Sequence, residues 1–129
     1  MKNTETNHTT LTITTAEGLY DLTMLEEMDD TEYLLEVLTL LLQEAPKDLT
    51  EMKDVLRSGN IDMVCKKAHK LKSSAGIIQA ERLTALLEDI ETLGKKGAAV
   101  SELALLVENA AAEYIRVEKQ LSVYVSQLK

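Results

Sequence analysis

Residues 68 to 76 run Ala68, His69, Lys70, Leu71, Lys72, Ser73, Ser74, Ala75, Gly76, and they place one imidazole and one ammonium a helical turn apart. An imidazole has one ring nitrogen that attacks phosphorus once the other carries the proton, and a lysine within reach neutralises the phosphoryl charge that results. The pair therefore suits a phosphorylatable histidine. Ile61, Val64, Ala68, Leu71, Ala75 and Ile78 recur at alternating threes and fours, the spacing of a core-facing helical stripe. His69 and Lys72 each follow a stripe residue by one step of about 100°, so both flank the buried seam. Ser73 at i+4 and Gly76 at i+7 continue that flank with little or no side chain. Another protein could approach the imidazole closely there, and Lys66, Lys70, Ser73 and Gly76 are the residues expected at such a contact.

Charge distribution singles out the same stretch. The chain of 129 residues carries a formal charge of -8, yet residues 66 to 72 hold Lys66, Lys67, Lys70 and Lys72 and no acid. A basic collar around His69 would steer an acidic partner or a phosphate toward it. The overall acidity argues against a nucleic-acid backbone as partner, and no apolar run reaches the length of a membrane span. Cys65 is the lone cysteine, which excludes an internal disulfide framework, and residues 1 to 5 open no apolar signal segment. A cytoplasmic protein is expected.

The elements that must position these groups are helices. The chain has 45% hydrophobic residues but no Trp, no Phe, one Pro and five Gly, a composition for an aliphatic helical core rather than a sheet. Residues 1 to 18 are polar and aperiodic and are expected to form a flexible tail containing an inert His8; residues 19 to 129 form one domain. A short helix is predicted over 22 to 28, with Asp21 as its cap. Asp30 or Thr31 opens a long apolar pattern from Leu34 to Leu56, in which Pro46 predicts a kink or a restart. Gly59 stops it and Asn60 caps the histidine helix, predicted over 61 to 78. Leu83, Leu86, Leu87, Ile90 and Leu93 line the next helix, which closes at Lys95, Lys96 and Gly97. Leu103, Val107, Ala110, Tyr114, Val117, Leu121, Tyr124 and Leu128 line the last. The prediction is an all-α, up-down antiparallel four-helix bundle with a short additional N-terminal helix.

In two antiparallel helices, residues one step past a core position share the same flank of the pair. His69 follows Ala68 and Glu91 follows Ile90, and the midpoint between them is residue 80, where the connection should lie. Glu91 could therefore accept from His69 Nδ1–H and leave Nε2 as the nucleophile. Glu88, which follows Leu87, competes for that role, and both glutamates could equally be solvated face residues.

The segment from Ala68 to Gly76, followed by Ala80, Glu81, Arg82, Leu83 and the pair Leu87 and Glu88, resembles the histidine-containing phosphotransfer (HPt) family of multistep two-component relays. The apolar pattern follows the family from about Leu19 to Leu128, including Leu40 to Pro46 and the turn at Gly59 and Asn60. The resemblance implies that His69 accepts the phosphoryl group, that Lys72 neutralises it, and that Glu91 stands where the family sets a Gln or Glu against the imidazole. Two departures are Ser73, where glycine is frequent, and Gln79, where glycine often precedes the alanine. It further implies that response-regulator receiver domains or a hybrid sensor histidine kinase are the partners, that the receiver supplies the Mg²⁺, and that the chain is a carrier rather than an enzyme; a complete bundle has no evident need of a second copy, so a monomer is expected. No cofactor and no resident metal are expected, and no nucleotide motif is visible.

Three rival readings stand beside this one. Cys65 and His69 are i and i+4, but two ligands make no metal site and Cys65 reads as a small buried hydrophobe. A histidine-kinase dimerisation domain would show an acid directly after the histidine, where this chain has Lys70. A helical adaptor that binds a signalling partner without carrying phosphate differs from a carrier only in what His69 does.

Overall fold

The structure, a computed structural model, describes residues 19–129. Five helices follow one another: α1 (Thr23–Glu27), α2 (Thr31–Arg57), α3 (Ile61–Ile77), α4 (Glu81–Lys95) and α5 (Val100–Leu128). The four long ones pack in a ring in which α2 meets α3 and α5, and α4 meets α3 and α5. The proposed tail at residues 1–18, with His8, lies outside the described residues.

Local chemistry sets the helix ends. Asp30 Oδ1 accepts from Tyr33 N at 3.0 Å and Asn60 Oδ1 from Met63 N at 3.2 Å, each satisfying an amide that the first turn leaves without a partner. Asp21 Oδ1 accepts from Thr23 N at 2.9 Å, while the Asp21 amide donates to Ile78 O at 2.9 Å and ties the N-terminal segment to the α3–α4 turn. Gly59 takes a φ of 78° between α2 and α3, a left-handed backbone that glycine adopts without steric penalty.

Pro46 neither interrupts nor restarts α2, which continues without a break for 27 residues. Proline removes one intrahelical donor. Ala45 and Leu49 are buried on either side of it, and their packing keeps the helix in register. The predicted core stripe of α2 is buried throughout, and so is that of α3 apart from the half-buried Ile61 at its start. Leu86, Leu93 and Leu128 are likewise half-buried, packed at the margin of that core. Tyr20 and Leu22, which precede α1, are buried in the same core.

Ion pairs report the register. Lys67 pairs with Glu51 and Lys70 with Asp48, so α2 and α3 run antiparallel. His69 meets Glu91 and Lys72 meets Glu88, so α3 and α4 do too. At the far end of that second seam Gly94 is buried, and a Cβ built there would lie 2.5 Å from Cys65 Sγ. Only glycine allows α3 and α4 this separation.

Candidate functional site

His69 stands on the α4-facing flank of α3 with its side chain 63% exposed. Its Nδ1 lies 3.0 Å from Glu91 Oε2. Glu91 follows the core residue Ile90 and is buried, with its side chain 9% exposed. Lys72 Nζ lies 2.8 Å from Glu91 Oε1 and 2.8 Å from Glu88 Oε1. Lys95 Nζ reaches Glu91 Oε2 at 3.1 Å. The carboxylate thus holds one ammonium on one oxygen, and an ammonium and an imidazole on the other.

Hydrogen bonding from Lys72, joined by Lys95, holds the Glu91 carboxyl down at about 2 against the desolvation that opposes it. At neutral pH Glu91 is therefore ionised and can only accept. His69 Nδ1 must then carry the proton, which leaves the Nε2 lone pair as the free nucleophilic position of the neutral ring. Of the two glutamates that competed in the sequence, Glu91 meets the imidazole and Glu88 serves Lys72. Lys72 and Glu88 shift each other in the expected directions, the ammonium upward and the carboxyl downward, through their shared hydrogen bond.

The basic collar takes a different form from the one its composition suggests. Lys67 and Lys70 point to α2, where they pair with Glu51 and with the buried Asp48. Lys66 pairs with Asp62 one turn back at 3.4 Å. Lys72 is not an open flank cation either: its side chain is 23% exposed and held by two carboxylates. Every lysine of residues 66 to 72 has an acid within 4.0 Å, so the field around His69 is locally balanced.

The expected contact surface is open. Gly76 is exposed and has no heavy atom within 4 Å of the place a Cβ would take. Ser73 Oγ donates back to His69 O at 3.3 Å, which occupies the hydroxyl within its own helix. On the other side of the imidazole a groove of about 700 Å³ runs along the α3–α4 seam, lined by Ile61, Asp62, Cys65, Lys66, Gly94 and Lys95. Cys65 is buried, and burial pushes its thiol up from the usual range, as for a packed hydrophobe. Among the described residues no group of three His, Cys, Asp or Glu side chains could hold a metal ion, and no helix is long and apolar enough to cross a membrane.

The sequence did not point to Lys95, Gly94 or Asp48 as members of the site. Lys95 lies at i+4 from Glu91 and follows Gly94, a buried position that carries no apolar side chain to mark it. Asp48 precedes core Leu49, as Lys67 and Lys70 precede Ala68 and Leu71, so all three lie on the α2–α3 flank.

The departure at Gln79 also has a structural counterpart. Gln79 joins α3 to α4 with a φ of 50°, in the left-handed region.

The family model described as "Hpt domain" matches residues 36–127. Among solved structures, an X-ray structure of a rice protein described as a histidine-containing phosphotransfer protein superposes with a TM-score of 0.80 at 19% identity, covering 92% of this chain and 89% of that one. No curated protein matches the sequence.

Proposed function

This chain belongs to the Hpt domain family, and on that premise we propose that it is a histidine phosphocarrier in a multistep two-component relay, with His69 as the phosphoacceptor. His69 Nε2 attacks the phosphorus of an aspartyl phosphate on a receiver domain. The P–O bond to the aspartate breaks, the carboxylate leaves with its electron pair, and an Nε2–P bond forms. The donor is a receiver domain or a hybrid kinase, and the reverse step delivers the group to the aspartate of another receiver. Nδ1 keeps its proton throughout, donated to Glu91. Lys72 turns from Glu88 and Glu91 to the phosphoryl oxygens and neutralises them, and Mg²⁺ comes with the receiver. Lys66, Lys70, Ser73 and Gly76 form the ground on which the receiver rests. The carrier has no nucleotide chemistry of its own and works in the cytoplasm beside its receivers.

The observation that carries this reading is an exposed imidazole whose Nδ1 is tied to an ionised carboxylate, with Lys72 at that same carboxylate. The test mixes the chain with a phosphorylated receiver and Mg²⁺ and follows transfer of label. Wild type is expected to acquire acid-labile, base-stable label, as phosphohistidine does, and His69→Gln to acquire none while keeping its helical circular dichroism. Binding of the receiver with no label on wild type would make the chain an adaptor, and label retained by His69→Gln would move the acceptor elsewhere.

A further inference from the structure

We infer that Lys95 is a positioning residue that releases Lys72 from Glu91, so that Lys72 can follow the phosphoryl group. The inference rests on the phosphocarrier reading and adds a residue to it.

In the unphosphorylated site Lys72 is not free to act. It is held at 2.8 Å by Glu88, whose side chain is 56% exposed, and at 2.8 Å by Glu91, whose side chain is 9% exposed. Leaving Glu88 costs little, because water solvates an exposed carboxylate in place of the ammonium. Leaving Glu91 is the harder step. A buried carboxylate that loses its cation is stranded with a desolvation penalty, so Glu91 holds Lys72 back unless other donors compensate the charge.

Two donors remain on Glu91 after Lys72 departs: His69 Nδ1 and Lys95 Nζ, both on Oε2. Of these only Lys95 carries a permanent positive charge. Its side chain is 67% exposed and arrives from i+4 on the same helix, so it stays beside the carboxylate whichever way Lys72 points. Phosphorylation then moves one ammonium and leaves the other: before transfer Glu91 has two lysines, and afterwards it keeps Lys95 while Lys72 meets the phosphoryl oxygens.

Removing Lys95 should make Lys72 the only ammonium on Glu91, tighten that pair and slow transfer in both directions. Lys95→Met keeps the apolar stem and deletes the charge. Its initial rate of label uptake from a phosphorylated receiver should fall roughly two- to fivefold, since a partly exposed charge contact is worth up to about 1 kcal/mol. Lys95→Arg should recover most of the rate, since Arg keeps the charge within reach. In the Glu91→Gln background a neutral amide exerts no such hold, so adding Lys95→Met there should change the rate less than about twofold. A carboxyl carbon titration by NMR supplies a second readout: the Glu91 midpoint, held at about 2, should move upward in Lys95→Met because one of the cations that lowers it is gone. A Lys95→Met rate equal to wild type would overturn the inference. So would an equal loss in the wild-type and Glu91→Gln backgrounds, which would place Lys95 at the receiver or the phosphate instead. Failure of wild type itself to take label would refute the phosphocarrier reading and this inference with it, whereas a wild type that takes label and a Lys95→Met chain that takes it equally fast would overturn this inference alone.

Discussion

Gly94→Ala is the substitution whose outcome the structure fixes most tightly. An ideal Cβ at residue 94 falls 2.5 Å from Cys65 Sγ and 3.5 Å from Ile61 Cγ2. Ordinary contact begins at roughly 3.5–4.0 Å, so α3 and α4 must part by about 1 Å or the thiol must leave its rotamer. Overpacking of that kind costs about 1–3 kcal/mol. Alanine returns about 1 kcal/mol through its better helix propensity. The net loss should be about 1 kcal/mol and at most about 2, which for a domain of this size lowers Tm by roughly 3–8 °C. Thermal melts of four chains, wild type, Gly94→Ala, Cys65→Ala and the double variant, separate the clash from propensity. With the sulfur gone the new methyl has room, and Gly94→Ala should then stabilise rather than destabilise. Because Glu91 sits one turn before residue 94 and its contact with His69 spans the same seam, the single variant should also take up label more slowly than wild type. A Gly94→Ala chain that melts at or above wild type with Cys65 intact would mean that α3 and α4 stand further apart at this point than a clash demands.

Lys72→Ala should slow transfer in both directions by roughly 10- to 100-fold, the loss of a charge-assisted contact worth about 1.5–3 kcal/mol, and Lys72→Arg should restore only part of it; initial rates at matched salt decide, and equal rates in all three would remove Lys72 from the chemistry. Gln79→Gly should raise stability by about 0.5–1 kcal/mol in urea melts, because relief of a left-handed side-chain residue outweighs the extra freedom glycine gives the unfolded chain; a destabilised variant would show that the Gln79 contact with Met24 Sδ matters more than the backbone.

Much of this site is legible in the sequence, and for one reason: the core stripes are regular enough to serve as rulers. Counting one step past Ala68 and Ile90 brings His69 and Glu91 together, and the structure has them 3.0 Å apart. Charge is harder to read. A run of four lysines looks like a basic patch in sequence, but its members are distributed around a helix, and each finds an acid supplied by its own helix or a neighbour. The same ruler run one step before the core, from Leu49, Met52, Ala68 and Leu71, leads to Asp48, Glu51, Lys67 and Lys70. Lys95 stays hidden because the core position before it is a glycine, which no hydrophobic pattern marks. Pro46 carries less weight than its residue type suggests: one missing donor is a local loss, whereas the buried faces on both sides of it hold α2 continuous.

The turn at Gln79 and Ala80 has a bearing on how the protein folds. His69, Lys72, Glu88, Glu91 and Lys95 all lie on the two helices that this turn joins, and their pairings span at most 22 residues of chain. Closing so short a loop takes little entropy, so the site belongs to the contacts of low sequence separation that form quickly. The N-terminal segment closes over that turn from far along the chain, through the Asp21 amide on Ile78 O and Gln79 on Met24, and its late arrival would lock a site already built.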